Sequence, residues 1–172
     1  MFSISVPDRN TPMDISYLVA EYGDSLLRMC FLYLKDIHLA EDAVQDTFLK
    51  VYNNYSQFLS ESEIKTWIMR IAINVCKNYR RSSWWKRVVI TEALNEIPAD
   101  TSLETQQDNT LVLEIMKLSP KYKEVILLFY YQELKIQEIS QVLNIPESTV
   151  STRLKRAREQ LGTKLKGWYF DD

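Results

Sequence analysis

The segment from Ile136 to Leu161, IQEISQVLNIPESTVSTRLKRAREQL, has the most informative pattern in the chain. Ile136, Ile139 and Leu143 recur at helical spacing and predict a short amphipathic helix. Pro146 lacks a backbone donor and disfavours helix at the residue before it, so a turn is expected there. Two short helices joined by a tight turn, the second of them basic, are typical of a helix-turn-helix. An amphipathic hairpin with a solvated basic face is the alternative interpretation.

The second of these helices is predicted to have two distinct faces. Its inner face carries small and apolar residues at helical spacing: Val150, Leu154, Ala157 and Leu161. Its outer and flanking faces carry hydroxyl and basic side chains: Ser151, Thr152, Arg153, Lys155, Arg156 and Arg158. Basic and hydroxyl side chains on one helix face are suited to contact with phosphate and base edges.

Composition favours an all-α chain of one domain or two small ones. The 172 residues are 46% hydrophobic, which is enough for packed cores, and include three glycines, too few for a fold rich in tight β-turns. No apolar run approaches the ~20 residues that span a bilayer. The first residues lack the basic-then-apolar order of a secretory signal, so we expect a cytoplasmic protein.

The residues of enzymatic and metal sites are scarce. His38 is the one histidine, and we expect it at the surface in a short connection from Asp36. Cys30 and Cys76 both fall in amphipathic helical patterns and are predicted to be buried thiols in a reducing compartment. We therefore expect no catalytic residues, no metal, no cofactor and no small-molecule substrate.

Charge is segregated along the chain although the net charge is only −2. Every charged residue from Lys65 to Ile90 is basic, and every charged residue from Glu92 to Met116 is acidic. The C-terminal helix is basic again. Two basic regions separated by an acidic connector predict two places that touch phosphate and one segment that avoids or mimics it.

The predicted organisation is two small helical domains joined by a flexible acidic linker. In the first domain, helices are expected from near Asp14, from about Leu39 to Asn54, and from Ile64 to Arg81. In the second, Ser119 and Pro120 predict a helix start, as cap and first helical residue. The predicted segments are a loose leader at 1–12, the first domain at 13–85, the linker at 86–110 and the second domain at 111–172.

The third predicted helix, IKTWIMRIAINVCKNYRR, combines an apolar face with a basic and amide-bearing one. Trp67 has core spacing with its apolar neighbours and is assigned to the interior, rather than to stacking on bases. The polar residues are Arg70, Asn74, Lys77, Asn78, Arg80 and Arg81. Arginine and lysine attract phosphate, and asparagine can both donate to and accept from a base edge.

The second predicted helix includes EDAVQDTFLKVY, from Glu41 to Tyr52. Asp42, Gln45 and Asp46 share a polar face opposite Val44 and Phe48. An acidic patch is poorly suited to DNA and well suited to a basic protein partner. Simple solvation explains the same pattern equally well on residues alone.

In combination, these segments resemble the extracytoplasmic-function sigma factors, small two-domain members of the bacterial sigma-70 family. HLAEDAVQDTFLKVY resembles the segment that binds the clamp helices of the largest subunit of core RNA polymerase. The resemblance therefore implies polymerase contacts at Asp42, Gln45 and Asp46. It covers about Asp14 to Leu165 apart from the linker.

TWIMRIAINVCKNYRR resembles the segment that opens and reads the −10 promoter element. The resemblance implies that Asn74 and Asn78 approach bases and that Arg80 and Arg81 contact the backbone. It also implies capture of a flipped-out base by the loop from Ser56 to Ile64.

LSPKYKEVILLFYYQELKIQEISQVLNIPESTVSTRLKRARE resembles the domain that reads the −35 element. The implied DNA-facing residues are Ser148, Ser151, Thr152, Arg153, Lys155 and Arg156. Two of them depart from the family pattern: the family often has glycine where Ser148 stands and a basic residue where Ser151 stands. Phosphate affinity at Ser151 should therefore be lower.

The resemblance implies a binding mechanism rather than catalysis. Expected partners are core RNA polymerase, including its clamp helices and flap, promoter DNA, and a membrane-anchored anti-sigma factor acting in an envelope stress response. A dimeric DNA-binding regulator that recognises a palindrome is the main alternative, and a helical hydrolase is a weaker one. Charge reversal at the Asp42, Gln45 and Asp46 patch separates the first two, because only a sigma factor needs that patch.

Overall fold

A computed structural model of the chain describes residues 14–58, 63–82 and 106–164. Within these residues every regular element is helical, which confirms the predicted all-α class. A 3-10 turn, Tyr55–Gln57, follows the second helix, and a π-helical turn, Leu127–Tyr131, continues the fifth. The α-helices are α1 (Ile15–Leu34), α2 (Ile37–Asn54), α3 (Ile64–Arg81), α4 (Gln106–Lys117), α5 (Pro120–Ile126), α6 (Ile136–Leu143) and α7 (Glu147–Lys164).

Two aspartates set the starts of the first two helices. The carboxylate of Asp14 accepts a hydrogen bond from the amide of Ser16 at 3.0 Å, and that of Asp36 accepts from the amide of Leu39 at 2.9 Å. Because Asp36 caps α2, the helix begins two residues earlier than predicted. His38 therefore lies in the first turn of α2 rather than in a connection, and its surface position is confirmed.

Helices α1, α2 and α3 form the N-terminal helical unit around a shared apolar core. Leu26, Met29, Val51, Ile68 and Ile73 are fully buried in it. Periodic apolar residues on each helix produce this packing, since positions three and four apart lie on one face.

Cys30 of α1 and Cys76 of α3 meet inside this core. Both are buried free thiols, as predicted, and their sulfur atoms lie 3.5 Å apart. The hydrogen bond to Cys30, followed by burial, raises the pKa of the Cys76 thiol.

Trp67 lies at the edge of the core rather than in its centre. It is half-buried, and its ring centroid lies 5.1 Å from that of Phe58 and 6.5 Å from that of Tyr55. The inward orientation predicted for Trp67 is thus correct, but a neighbouring aromatic pair completes its packing.

Helices α4 to α7 form the C-terminal helical unit. Ser119 and Pro120 occupy the cap and first helical positions of α5 as predicted, although the carbonyl of Ser119, not its hydroxyl, receives the amides of Tyr122 and Lys123. The helix-turn-helix is confirmed: α6 ends at Leu143, its C-cap residue Asn144 is left-handed at φ 52°, and α7 follows. Its predicted inner face is buried at Val150, Leu154 and Ala157 and partly buried at Leu161.

The two helical units pack against each other. Helix α6 lies along α3, and α1 contacts α4, α5 and the π-helical turn. The predicted linker, 86–110, falls outside the described residues except for 106–110, which begin α4. In the part of the chain that is described, no helix has both the length and the apolar character needed to cross a membrane.

Candidate nucleic-acid and protein interfaces

Helix α3 places its six predicted nucleic-acid residues in two different environments. Asn74, Asn78 and Arg81 are exposed to solvent. The other three residues lie towards the C-terminal unit: Arg70, which is still exposed, and the half-buried Lys77 and Arg80. The predicted nucleic-acid face of α3 is therefore divided into a part that faces solvent and a part that faces the C-terminal unit.

Two of those three cations have partners across the boundary between the units. The guanidinium of Arg70 donates to the carbonyl of Gln141 at 2.8 Å, and the Lys77 ammonium lies 3.4 Å from the carboxylate of Glu124. The Nε of Arg80 is buried and has no hydrogen-bond partner.

A cavity of about 340 Å³ lies between α2 and α3 and adjoins this face. Another cavity, of about 420 Å³, lies elsewhere and is not part of the face. The lining of the cavity between α2 and α3 mixes amide, basic and aromatic side chains: Lys50, Asn54, Gln57, Trp67, Ile71 and Asn74. The predicted capture loop runs from Ser56 to Ile64, of which 59–62 lie outside the described residues. Sequence reasoning missed Lys50 and Asn54, because they belong to α2 and only the fold brings them beside Asn74.

Helix α7 exposes nearly all of its predicted DNA-facing side chains. Ser148, Ser151, Thr152, Lys155 and Arg156 are exposed, and Arg153 is half-buried. The hydroxyls of Ser151 and Thr152 donate to the carbonyls of Glu147 and Ser148 at 3.0 and 2.8 Å. Their oxygens can still accept a hydrogen bond from outside, whereas donation to a phosphate needs the hydroxyl to rotate.

Lys121 is a residue of this surface that sequence reasoning missed. It is exposed at the start of α5 and lines a polar cavity of about 280 Å³ with Ser148, Thr152, Arg153 and Arg156. Its ammonium lies 4.9 Å from the ring centroid of Tyr122, a cation–π distance. The sequence carries one signal for Lys121. It directly follows Ser119 and Pro120, which start the helix that lies beside the helix-turn-helix.

The acidic patch of α2 is only partly free. Asp42 and Gln45 are exposed, but the half-buried Asp46 accepts a hydrogen bond from the Tyr79 hydroxyl at 2.7 Å. Burial, then this bond and the negative charge of Asp46, raise the pKa of Tyr79 to about 12. Asp46 therefore links α2 to α3 through this hydrogen bond and remains partly exposed.

Two exposed apolar side chains extend the α2 patch. Leu49 and Tyr52 expose 59% and 57% of their surface, although both belong to a helix with a buried face. Leu49 follows Asp42 by seven residues and so lies on the same side of the helix. Sequence reasoning missed these two residues. The sequence does carry a signal for them, because each directly follows a buried residue, Phe48 or Val51, and so lies outside the buried face.

No group of three or more histidine, cysteine or acidic side chains that could hold a metal ion occurs among residues 14–58, 63–82 and 106–164. The arrangement offers exposed cations, amides and hydroxyls on two helices and an acidic, apolar patch on a third. Such surfaces bind macromolecules through charge and hydrogen bonds.

Comparison with known proteins identifies the two helical units. Residues 18–86 match the family model for sigma-70 region 2, and residues 109–161 match that for sigma-70 region 4. The ECF RNA polymerase sigma factor SigW of Bacillus subtilis is 33% identical over 163 residues, covering 87% of each chain. RNA polymerase sigma factor YlaC of the same organism is 32% identical, covering 86% of this chain and 89% of the relative.

Solved structures share the fold. The sigma factor RpoE of Bartonella quintana, in complex with the anti-sigma factor NepR, superposes with a TM-score of 0.71 at 22% identity, over 92% of this chain and 99% of that one. CnrH in complex with the cytosolic domain of CnrY gives a TM-score of 0.68 at 22% identity, over 90% and 88% of the two chains. With both sigma-70 regions present in order and relatives of this identity across most of its length, the chain belongs to the extracytoplasmic-function sigma factors of the sigma-70 family, which are transcription initiation factors rather than enzymes.

Proposed function

We propose that this chain docks on core RNA polymerase through α2, holds the −10 element with α3 and reads the −35 element with α7. The observation that carries the assignment is that exposed DNA-suited side chains lie on α3 and α7, one in each sigma-70 region. The acidic patch lies on a third helix, so polymerase and promoter need not compete for it.

Recognition at −10 uses the amide-bearing part of α3 and the cavity beside it. Asn74 lines the cavity together with Asn54 and Gln57, so three amides and the Trp67 ring surround one space. Amides match base edges and an aromatic ring suits a base plane. An unpaired base held there would offset the few kcal/mol of unstacking, so reading and opening the −10 element are one step.

Recognition at −35 uses α7 in the major groove. Arg156 and Lys155 are exposed on the helix that follows the turn, the position of a recognition helix. Lys121 extends the surface to α5 and is suited to a flanking phosphate. Its contact would position the helix without reading sequence.

Polymerase binding uses Asp42 and Gln45 as polar contacts and Leu49 as an apolar anchor. An exposed leucine beside acidic residues suits a partner surface that is basic around an apolar pocket. Buried apolar anchors within a polar rim provide most of the affinity of such interfaces.

An anti-sigma factor is the proposed regulator. The two structural neighbours described above were each solved with such a partner or with a protein domain bound, and this chain shares their fold. Anchoring of that partner in a membrane, and its release during envelope stress, belong to the same proposal. We place the sigma factor itself in the bacterial cytoplasm, where its polymerase acts.

Run-off transcription with core RNA polymerase and a pool of promoter fragments from the source genome tests this assignment. We expect transcripts that depend on the chain and disappear with the double variant Asp42→Lys, Gln45→Lys. Both positions are exposed, so the change should spare the fold. Transcripts aligned at their start sites would also give the promoter motif.

The matched control is Glu21→Lys, which makes the same kind of charge change at an exposed position of α1. It should transcribe like the unaltered chain. Binding of a dimer to a palindrome, with no polymerase-dependent transcript, would instead favour the regulator alternative.

A further inference from the structure

Three basic side chains from three different helices lie close together where the two helical units meet. Lys35 follows the last residue of α1, Arg80 lies in the last turn of α3, and Lys123 belongs to α5. Lys123 is only 4% exposed, and the other two are half-buried. Burial, and after it the charges of Lys35 and Arg80, lower the pKa of Lys123 to about 7. These three residues are the junction cations.

The junction cations have no anionic partner. In the part of the chain that the structure describes, no carboxylate lies within ion-pair distance of any of them. The two carboxylates that directly follow junction cations in the sequence are bound elsewhere. Glu124 accepts the hydroxyl of Tyr33 at 2.9 Å and lies 3.4 Å from the ammonium of Lys77, and Asp36 accepts the amide of Leu39.

The guanidinium of Arg80 has a donor that lacks an acceptor. Its Nε is buried and has no hydrogen-bond partner among the described residues. Such a donor costs free energy, because it has lost water without gaining an acceptor. The ammonium of Lys123 lies 6.0 Å from the ring centroid of Tyr33, which provides only a weak cation–π contact. An acceptor that carries negative charge would satisfy both groups.

The junction cations are held at fixed positions and can be reached from solvent. Besides the bond from Tyr33 to Glu124, the side-chain amide of Gln132 donates to the carbonyl of Ser25 at 2.9 Å across the same junction, and Gln132 is only 1% exposed. A site that is already ordered loses less free energy when a ligand binds. Part of the surface of Arg80 is exposed, so a small ion can approach from that side.

We propose that the junction cations Lys35, Arg80 and Lys123 bind a small tetrahedral oxyanion, of which inorganic phosphate is the simplest. A guanidinium can donate from Nε and a terminal nitrogen to two oxygens of such an ion, which leaves the other oxygens to the two ammonium groups. A chloride ion has too few acceptor positions for this arrangement. The site does not depend on the proposed function, because neither polymerase nor promoter takes part in it.

Isothermal titration calorimetry of the full chain with sodium sulfate is the first test. Sulfate is tetrahedral and remains a dianion at neutral pH, so its own protonation does not contribute to the heat. We expect saturable binding of a single ion when sodium chloride keeps the ionic strength constant. Direct titration is preferable to a melting curve, because sulfate stabilises folded proteins in general. Absence of saturable binding for both sulfate and inorganic phosphate would overturn the proposal.

Two variants locate the bound ion. Arg80→Gln and Lys123→Met each remove one junction cation, and each should weaken sulfate binding by about tenfold or more, because a hydrogen bond between charged groups is lost. The matched controls are Arg81→Gln and Lys135→Met, which make the same substitutions at exposed positions of the same two units. Both controls should bind sulfate like the unaltered chain. Circular dichroism checks that all four variants are folded.

Another basic surface is the main competing location for the ion. Lys121 lines a polar cavity with Arg153 and Arg156, as described above. If Lys121→Met weakened sulfate binding while Arg80→Gln and Lys123→Met did not, the ion would lie in that cavity, and the proposal would be overturned.

Proton uptake is a readout that an ion bound at another surface would not produce. At about pH 7.5 much of Lys123 is neutral in the free chain, and a bound dianion would raise its pKa, so binding should take up protons. Lys35, whose pKa burial also lowers, can add to the uptake, whereas Arg80 contributes a constant charge and the raised pKa of Tyr33 keeps its hydroxyl protonated. Titration in two buffers of different ionisation enthalpy measures the uptake. An equal uptake in Lys123→Met would exclude Lys123 from the site and overturn the proposal.

Inorganic phosphate and adenosine diphosphate distinguish two sources of the same oxyanion chemistry. Tighter binding of the nucleotide, with the same losses in Arg80→Gln and Lys123→Met, would mean that the site takes a nucleotide phosphate. Equal or weaker binding would mean that it takes the free ion. Either result supports the site, whereas failure of both compounds to compete with bound sulfate would overturn it. Failure of the chain in run-off transcription would affect the proposed function alone.

Discussion

The two helices proposed to contact DNA differ in what surrounds them rather than in the residues they carry. Helix α7 presents Lys155 and Arg156 to solvent, whereas α3 has Arg70 and Lys77 in contact with the chain's other half. Both helices are basic and amphipathic in sequence. A basic helix face is therefore available for binding only where the rest of the fold does not pack against it.

The largest effect is expected on the free helix. Arg156→Ala should reduce transcription from a −35-dependent promoter by roughly tenfold or more, because a base or phosphate contact on a recognition helix is worth about 1–3 kcal/mol. Run-off transcription with core RNA polymerase measures the loss. Arg158→Ala is the control, since Arg158 turns back to its own helix, where its Nε lies 3.4 Å from the carbonyl of Leu154. Equal losses in the two variants would remove Arg156 from the recognition surface.

The next largest effect is expected from Lys123→Met, at the contact between the two helical units. Burial, with the nearby charges of Lys35 and Arg80, lowers the pKa of Lys123 from 10.5 to about 7. The folded chain therefore binds fewer protons than the unfolded chain between these values. The stability of the unaltered chain should rise with pH from about 7 to about 10.5 and show no dependence from this group below that window.

Replacing this buried cation by an apolar side chain should raise the free energy of unfolding at pH 7 by about 1–3 kcal/mol. The advantage should shrink as the pH rises above 7, because the folded unaltered chain then holds a neutral lysine while its unfolded form is still protonated, so its stability rises. Urea unfolding at pH 7 and pH 9.5 measures both effects, with the exposed Lys121→Met as control. An advantage of the same size at both pH values would mean that packing, not charge, is its source.

The smallest effect is expected from the paired cation of α3. Lys77→Ala would remove a proposed phosphate contact, but Lys77 is already paired with Glu124 in the folded chain, so the loss should be small. We expect transcription to fall by about twofold or less, against a several-fold fall for Lys155→Ala, because the exposed Lys155 would lose the whole of its proposed phosphate contact. The salt dependence of promoter binding should likewise weaken more for Lys155→Ala. A greater loss for Lys77→Ala would reverse the comparison.

The sequence predicts the helices well because their causes are local. Periodic apolar residues define α3, and Asn144 with Pro146 separates α6 from α7, so the bounds of these elements follow from neighbouring positions. The exposed side of α7, which we propose contacts DNA, follows in the same way, as the side opposite Val150 and Leu154.

The contact between the units could not be predicted in this way. Tyr33 and Glu124 are separated by 91 positions, and Ser25 and Gln132 by 107, so no local pattern links them. Lys123 and Glu124 form a charged pair of neighbours that resembles an ordinary solvated surface, and only the fold buries them. Tyr79 and Asp46 show the same limit across a shorter distance.

Because of the π-helical turn, a change of one residue in chain length would alter the contact between the two helical units. The amide of Gln132 bonds to the carbonyl of Leu127, one residue farther back than in an α-helix. Deleting one residue from Leu127–Tyr131 would restore α-helical spacing and rotate Gln132 by about 100° away from Ser25. A deletion here would therefore weaken the contact between the two units without changing any side chain that we propose contacts DNA.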